Sequence, residues 1–502
     1  MRARPTTGRL AARACAAAAA ALLAVGAAQG GVAVAAPITP SDPLGLGDDP
    51  VESVLDTFGL GNKVNQDPNN YAYDCPDVLI VAITGATDSE STANPVDEVD
   101  RLPWSNWVGN VTVPTGEANA EYPGRVGWVY VPYASQYGVS VTDIVPTYQE
   151  SVAEGLGTMR RMIDDNKTKC GTSTKYVLLG YSVGAEVVQR LAVDYGSRSS
   201  DAHISADDIA GIALVGDPYR PAGVPSLDKP GPPGGGFMSS EPKDYGTLKD
   251  KIRWACRPID IACDSPINVG VLPLALNVFG RMHFTLTDPG RTVSDFAAVS
   301  SDLSARTIAY AFENPDFATS DESLLDVMVR ISDRTQPLPD DPQVSPQQVF
   351  DAVSWALGPG RPVVEEKIDA EMAGWEEDNA DIPELWEKPY IELGFFQHLY
   401  YWDNFPDNGR YWESEKLIDW ITDIAQEESD KRDTEQGSDT APQPVEAPPA
   451  EESRPPAAEA PRVIPPVNPG YLAPPAEQYE TVPSTWEEFL KSVGLPPDPT
   501  AR

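Results

Sequence analysis

The sequence predicts an α/β fold built on a central parallel sheet, followed by a C-terminal helical extension. Three observations carry that expectation. Short apolar runs recur at 78–83, 126–131, 176–179 and 209–215, as strands buried on both faces require. Segments of helical period separate them, so strand and helix alternate. The third run ends in a glycine and a serine, and a helical pattern starts at once behind them.

The elements follow in order. Arg2, Arg4, Arg9 and Arg13 precede an alanine-rich apolar stretch, and small residues then run to Ala36. This is the pattern of a secretory signal over 1–36. The apolar stretch is short for a membrane span, which needs about 20 residues. Residues 37–70, rich in Gly, Asp, Asn and Pro, read as an extended leader. The α/β domain is expected over 71–322. Within it, TYQESVAEGLGTMRRMIDDNKTKC places Val152, Leu156, Met159 and Ile163 on one helical face, and AEVVQRLAVDYG reads as a second helix. Residues 218–247 are Pro- and Gly-rich and read as an irregular loop. TLKDKIRWAC starts a short helix, and SDFAAVSSDLSARTIAYAFENP is a helix that closes the domain near 317.

Residues 323–427 read as a helical extension or cap, with Ser345 and Pro346 as cap and first-turn residue of one helix. It contains an aromatic stretch, FFQHLYYWDNFPDNGRYW. Residues 428–480 are rich in Pro, Glu and Ala and are expected to be disordered. In 481–502, Ser484 and Glu487 form a capping box, and Trp486, Phe489, Leu490 and Val493 share a face of a short helix.

The formal charge of −39 excludes nucleic acid as a partner, because such binding wants basic surface. It also argues against spontaneous docking on anionic lipid. Cys15 falls in the signal, which leaves Cys75, Cys170, Cys256 and Cys263. An even set in an exported chain suggests two disulfides. Three pairings are open, and the simplest is Cys75–Cys170 with Cys256–Cys263. No CxxC or Cys/His cluster suggests a metal, and no cofactor motif is seen.

The strongest local motif is GYSVG, Gly180 to Gly184. Its position between a strand and a helix is the context of a nucleophile elbow, with Ser182 at the tip. The amide of Val183 then lies at a helix N-terminus, where it can stabilise an oxyanion. A serine nucleophile needs a base and an acid to orient it. The chain has three histidines. His283, in GRMHFTLTD, is the expected base, because it follows the nucleophile and acid in the α/β-hydrolase order. His203 reads as a surface residue, and His398 sits in the aromatic stretch. Asp260, in CRPIDIAC, is the expected acid, held in a short loop between two cysteines. Asp217 in VGDP is its main rival, ahead of Asp264 and Asp288.

Taken together, residues 75–290 resemble the cutinase family of serine esterases, in particular its longer actinobacterial members of mycolate-envelope type. CPDVLIVAITGATDS is similar to the family's first strand and oxyanion loop. CGTSTKYVLLGYSVGA is similar to its second cysteine and elbow. VGDP, CRPIDIAC and MHF resemble the turn after the next strand, the acid-bearing disulfide loop and the histidine segment. The resemblance implies a Ser182–Asp260–His283 triad, an oxyanion hole at Ala86 and Val183, and the disulfides Cys75–Cys170 and Cys256–Cys263. It implies cleavage of lipid or other acyl esters, or thioesters, by an exported or envelope-associated protein without a cofactor.

Two positions depart from the family pattern. Ala86 stands where a hydroxyl residue is usual, unless Thr87 takes that place by a one-residue slip. Val183 stands where glutamine is common. Aromatic residues of the extension, Trp375, Trp386, Phe395, Phe396, Tyr400, Tyr401 and Trp402, would either wall an acyl channel or simply pack its helices. Two other readings stay open at this point: a catalytically weak or inactive envelope scaffold on the same fold, and an acyltransferase.

Overall fold

The four apolar runs and a fifth, short strand form one parallel sheet in the computed structural model. It describes residues 75–96, 107–140, 143–227, 230–239, 243–285, 287–335, 345–383, 394–395, 397–399, 401–402 and 412–439. The expected signal, leader and C-terminal helix, and most of the Pro/Glu-rich segment, lie outside the described residues.

The strands are β1 (Val78–Ile83), β2 (Val126–Tyr130), β4 (Lys175–Tyr181), β5 (Ile209–Val215) and β6 (Ile252–Ala255), in the order β2-β1-β4-β5-β6. All neighbours run parallel. Every residue of β1 is buried, because helices cover both faces of the sheet. The chain first builds outward from β1 to β2, then resumes on the other side with β4. That reversal opens a crevice at the carboxyl ends of β1 and β4, the place where open α/β sheets bind ligands. Short β3 (Val139–Ser140) and β7 (Phe284–Thr285) form a separate parallel pair beside the sheet.

One face carries α2 (Tyr148–Cys170) and α3 (Val183–Ser197). Val152, Leu156, Met159 and Ile163 point into it, as their spacing predicts. Thr147 and Glu150 cap α2 reciprocally. The other face carries α1 (Gly109–Ala118) and α9 (Glu413–Asp439). Leu417, Ile421 and Ala425 of α9 are buried there among Val78, Ile80 and Val177. Thus α9 completes the α/β core, although it lies in the segment expected as an extension, and it runs to Asp439 rather than ending near 427.

The segment 246–255 also differs from expectation. It forms a 3-10 turn, Gly246–Lys251, and then the edge strand β6. Ile252 and Trp254 bury on one sheet face and Ala255 on the other, which is strand rather than helix spacing.

Between β6 and α9 the chain leaves the sheet and builds a second cluster. Its helices are α4 (Leu272–Phe279), α5 (Pro289–Glu313), α6 (Leu324–Ser332), α7 (Pro346–Leu357) and α8 (Arg361–Asp378). Leu303, Ala311, Phe317, Val327 and Ile331 form its core. So α5, expected to close the α/β domain, instead packs within this cluster. Gln149 of α2 ties it to the main body: its Nε2 donates to the carbonyls of Asn277 and Ser332, each at 3.1 Å. The Arg334 amide donates back to Gln149 Oε1 at 2.8 Å. The cluster is therefore an insertion between strand β6 and helix α9. Among the described residues no helix is long and apolar enough to cross a membrane.

Candidate active site

Ser182 occupies the sharp corner between β4 and α3. Its backbone has φ +56°, a left-handed conformation that is costly for a residue with a side chain and recurs at functional turns. The amide of Ser182 donates to the Val215 carbonyl at 2.9 Å. The two flanking glycines are needed for space. A Cβ on Gly180 would sit 2.4 Å from the Gly184 carbonyl oxygen, and one on Gly184 would sit 2.3 Å from that of Ile83. The corner therefore closes tightly on the end of β1 and lifts the serine hydroxyl into the crevice.

His398 meets that hydroxyl, with Nε2 2.8 Å from Ser182 Oγ. Its Nδ1 lies 2.9 and 3.1 Å from the two carboxylate oxygens of Asp260. His283 does not reach the site. Its Nδ1 lies 2.7 Å from Asp295 and its amide donates to the same carboxylate at 3.0 Å. Thr292 Oγ1 donates to its carbonyl. It fastens the start of β7 to α5, and the expected placement of His283 beside Ser182 is corrected: His398 stands there. The physical reason is the helical insertion, which diverts the chain after the Asp260 loop, so that the histidine beside Ser182 comes only as the chain returns toward α9.

Asp260 is fully buried. The disulfide Cys256–Cys263 closes its loop, and Cys75–Cys170 joins the entry of β1 to the end of α2. The Asp260 carboxylate also accepts from the Ala262 amide at 2.7 Å and from the Tyr401 hydroxyl. These donors fix the carboxylate, and the carboxylate in turn orients the imidazole.

Several residues that the motifs did not mark hold this arrangement. Arg257, beside the disulfide, is buried and donates to Gln397 Oε1 at 2.9 Å and to Glu413 at 2.8 Å. It pins both the histidine segment and α9 to the acid loop. Tyr181 stacks on His398 with centroids 5.2 Å apart, and its hydroxyl donates to the His398 carbonyl at 2.8 Å. Tyr401 and Trp402 are buried, with Trp402 packed on Tyr181 and Trp107. They support the histidine from behind rather than wall a channel. Trp375 and Phe395 are partly exposed. Trp386, Phe396 and Tyr400 lie outside the described residues. The adjacency of His398 to buried aromatics was the available signal in QHLYYW.

The rival acids have other work. Asp217 is buried and accepts from the Tyr219 amide at 2.9 Å and from Trp254 Nε1 at 3.0 Å. Burial pushes its carboxyl up to about 7. Asp264 accepts from the amides of Gly234 and Ile259. Asp288 caps α5. His203 bonds Thr168 and the Asp164 carbonyl at the surface. The 218–247 loop is anchored by buried Arg220, which donates to the carbonyls of Gly234, Cys263, Val224 and Pro232.

The loop after β1 is braced beside Ser182. The Tyr133 hydroxyl donates to the Thr84 carbonyl at 2.7 Å, and the Thr84 hydroxyl donates to Asp88. The Thr87 amide donates to the Ser135 carbonyl, which ties this loop to the segment after β2. Val183 opens α3, where a first-turn amide has no partner within the helix. A groove of about 870 Å³ runs between the 218–239 loop and the insertion, but none of the three site residues lines it. Among the described residues, no group of three or more His, Cys, Asp or Glu is placed to hold a metal ion.

The cutinase family model matches residues 105–273, a span that includes Ser182 and Asp260 and ends before His398. The carboxylesterase Culp6 homolog of Corynebacterium glutamicum is 26% identical over 216 residues, covering 39% of this chain and 68% of the relative. An acetylxylan esterase structure is 23% identical with a TM-score of 0.28, covering 38% of this chain and 87% of its own. The catalytic core domain of acetyl xylan esterase from Trichoderma reesei is 16% identical with a TM-score of 0.28, covering 45% and 98%. The parallel sheet and the serine at the β4–α3 corner agree with the family match: the chain has a cutinase-like α/β-hydrolase fold, and its residues 105–273 match the cutinase family model.

Proposed function

We propose that the protein is a serine hydrolase that cleaves acyl esters or thioesters through an acyl-enzyme. The observation that carries this reading is the pairing of Ser182 Oγ with His398 Nε2 at 2.8 Å while Asp260 holds the other ring nitrogen. His398 takes the Ser182 proton as Oγ attacks the acyl carbon. Asp260 keeps the imidazole in register and stabilises its charged form. The amides of Ala86 and Val183 donate to the oxyanion. His398 then gives the proton to the leaving alkoxide or thiolate. In the second half it activates water, which releases the acid. These steps use no cofactor.

The substrate class is an acyl ester or thioester, of which lipid esters are the chemistry the resemblance favours. Two disulfides and the signal-like segment 1–36 support an extracytoplasmic site of action, free or on the cell envelope. The experiment is fluorophosphonate labelling of the purified protein with peptide mass mapping. Stoichiometric label on Ser182, lost in Ser182→Ala, is the expected result. A folded, disulfide-intact protein that takes no label would overturn this reading in favour of an envelope scaffold.

A further inference from the structure

The segment that brings His398 to Ser182 also reaches the acid. Three of its residues bond the loop that the Cys256–Cys263 disulfide closes. The Gly394 carbonyl accepts from the Ile261 amide at 3.3 Å, and Gln397 Oε1 accepts from Arg257 Nε at 2.9 Å. The Tyr401 hydroxyl donates to Asp260 Oδ2. Of these three contacts, the last falls on the carboxylate itself, and Tyr401 is fully buried.

That hydroxyl has one proton and three neighbours. The Arg257 amide, at 3.1 Å, can only donate, so the phenol oxygen accepts there. Cys263 Sγ, at 3.4 Å, is half of a disulfide and has no hydrogen to give. The Asp260 carboxylate is an acceptor, and the phenol proton goes to it. Burial, and after it the Asp260 charge, holds this phenol well above its ordinary value, so it keeps its proton at neutral pH.

The ring is held from several sides. The Ser414 amide, at the start of α9, donates to the Tyr401 carbonyl at 3.2 Å. Tyr181 meets the ring edge-on with centroids 6.4 Å apart, and Trp402 lies at 6.2 Å. The phenol is therefore aimed before any substrate arrives.

What it does follows from the donors on the carboxylate. Oδ1 takes the Ala262 amide at 2.7 Å and His398 Nδ1 at 2.9 Å. Oδ2 takes the phenol and lies 3.1 Å from the same ring nitrogen. The Ala262 amide by itself pins one oxygen and lets the carboxylate turn about its Cβ–Cγ bond. The phenol pins the other oxygen, and with both fixed the carboxylate faces Nδ1.

We propose that Tyr401 is a positioning residue whose hydroxyl fixes the Asp260 carboxylate against His398 Nδ1, so that one short segment both supplies the base and aligns the acid that orients it. This rests on the serine hydrolase reading. Tyr401 acts through Asp260 and transfers no proton.

The test is a double-mutant cycle of Tyr401→Phe and Asp260→Asn. It is read as kcat and KM on a short-chain p-nitrophenyl ester and as the rate of fluorophosphonate labelling at Ser182, with folding checked by thermal melts. Tyr401→Phe alone should lower kcat and the labelling rate on the order of 10–100-fold, with KM nearly unchanged. That is the scale of a small misplacement, short of the roughly 10⁴-fold cost of neutralising the acid. In the Asp260→Asn background the same change should cost less than about threefold, because the carboxylate it acts on is gone. Equal losses in both backgrounds are the mark of a tyrosine that only packs, and they overturn the assignment. A folded Tyr401→Phe within about twofold of wild-type kcat also overturns it, as does a change confined to KM. If Tyr401→Phe fails to fold, a fluorinated tyrosine at 401 keeps the shape and strengthens the donor. Its kcat should then differ from wild type by more than about twofold, with no such change in the Asp260→Asn background, and an unchanged kcat overturns the assignment. Labelling of the wild type separates the two claims. An inert wild type removes the hydrolase reading and this assignment together, whereas a reactive wild type with equal losses in both backgrounds removes only the assignment.

Discussion

A methyl group on Gly216 would stand 2.7 Å from Cε1 of His398 and 2.9 Å from its Nδ1. Gly216 also has φ +57°. The glycine of VGDP is thus the floor on which the imidazole rests, and it joins the end of β5 to the triad geometry. Gly216→Ala should displace the ring from Ser182. The expected outcome is a fall in kcat of roughly 10²-fold or more, since small misplacements carry costs of that order. Destabilisation should be about 1–3 kcal/mol from backbone strain. Steady-state kinetics alongside urea unfolding check both.

Arg257 links the acid loop to the histidine segment and to α9. Arg257→Ala removes the donors to Gln397 and Glu413. Cutting one partner of a buried charged pair costs about 3–5 kcal/mol. The histidine segment should loosen as well, so kcat should drop more than the fraction of folded protein does. Activity per folded molecule, taken from parallel circular dichroism and active-site titration, separates the two effects.

The insertion is docked by charge as well as by Gln149. Arg190 of α3 bonds Glu186 at 2.6 Å and Asp333 at 2.7 Å, with little solvent access. Burial raises the Glu186 carboxyl above its ordinary value although Arg190 opposes it. For Asp333 burial acts the same way, but Arg190 and Thr335 outweigh it and hold the carboxyl low. Arg190→Met should therefore destabilise the protein by about 3–5 kcal/mol by leaving two acids without their cation. Adding Glu186→Gln to that variant should recover part of the loss, a coupling that a double-mutant cycle measures.

Asp217 gives a pH dependence of known sign. Burial raises its pKa from 3.8 to about 7. Between those values the folded state holds a proton that the unfolded state has released. Stability is therefore greatest, with respect to this group, below pH 4 and is lost as pH rises through 7. Three pH units correspond to on the order of 4 kcal/mol. Asp217→Asn should flatten the slope of unfolding free energy over pH 4–7, read by urea midpoints at each pH.

The parallel sheet was legible because its strands are buried on both faces, which leaves continuous apolar runs such as VLIVAI and IAGIALV. Ser182, Asp260 and the cysteines were legible because each sits in a short motif whose geometry is local: a strand-to-helix corner, a loop closed by its own disulfide. His398 was not. Its position is set by where the chain re-enters the core after an insertion of more than a hundred residues that carries α4 to α8, and no local pattern encodes that. His283 misled because it follows the acid loop in the expected order, yet its partner is Asp295 on the neighbouring helix. Helix α1 was missed because GNVTVPTGEA is rich in β-branched residues and contains Pro114. Packing on α9, the Thr112–Tyr130 hydrogen bond and the seat that Gly116 leaves for Trp128 override its weak propensity. Strand β6 was missed because it is four residues long and enters from a lysine-rich turn.

The most direct test of the account exchanges the two histidines. Ester hydrolysis by His398→Ala and His283→Ala should be measured beside wild type, with folding checked by thermal melts. His398→Ala should lose roughly 10⁴-fold or more in kcat, while folded His283→Ala should stay within about tenfold of wild type. Retention of activity by His398→Ala, with its loss in a well-folded His283→Ala, would contradict the account and return the base to the MHF segment.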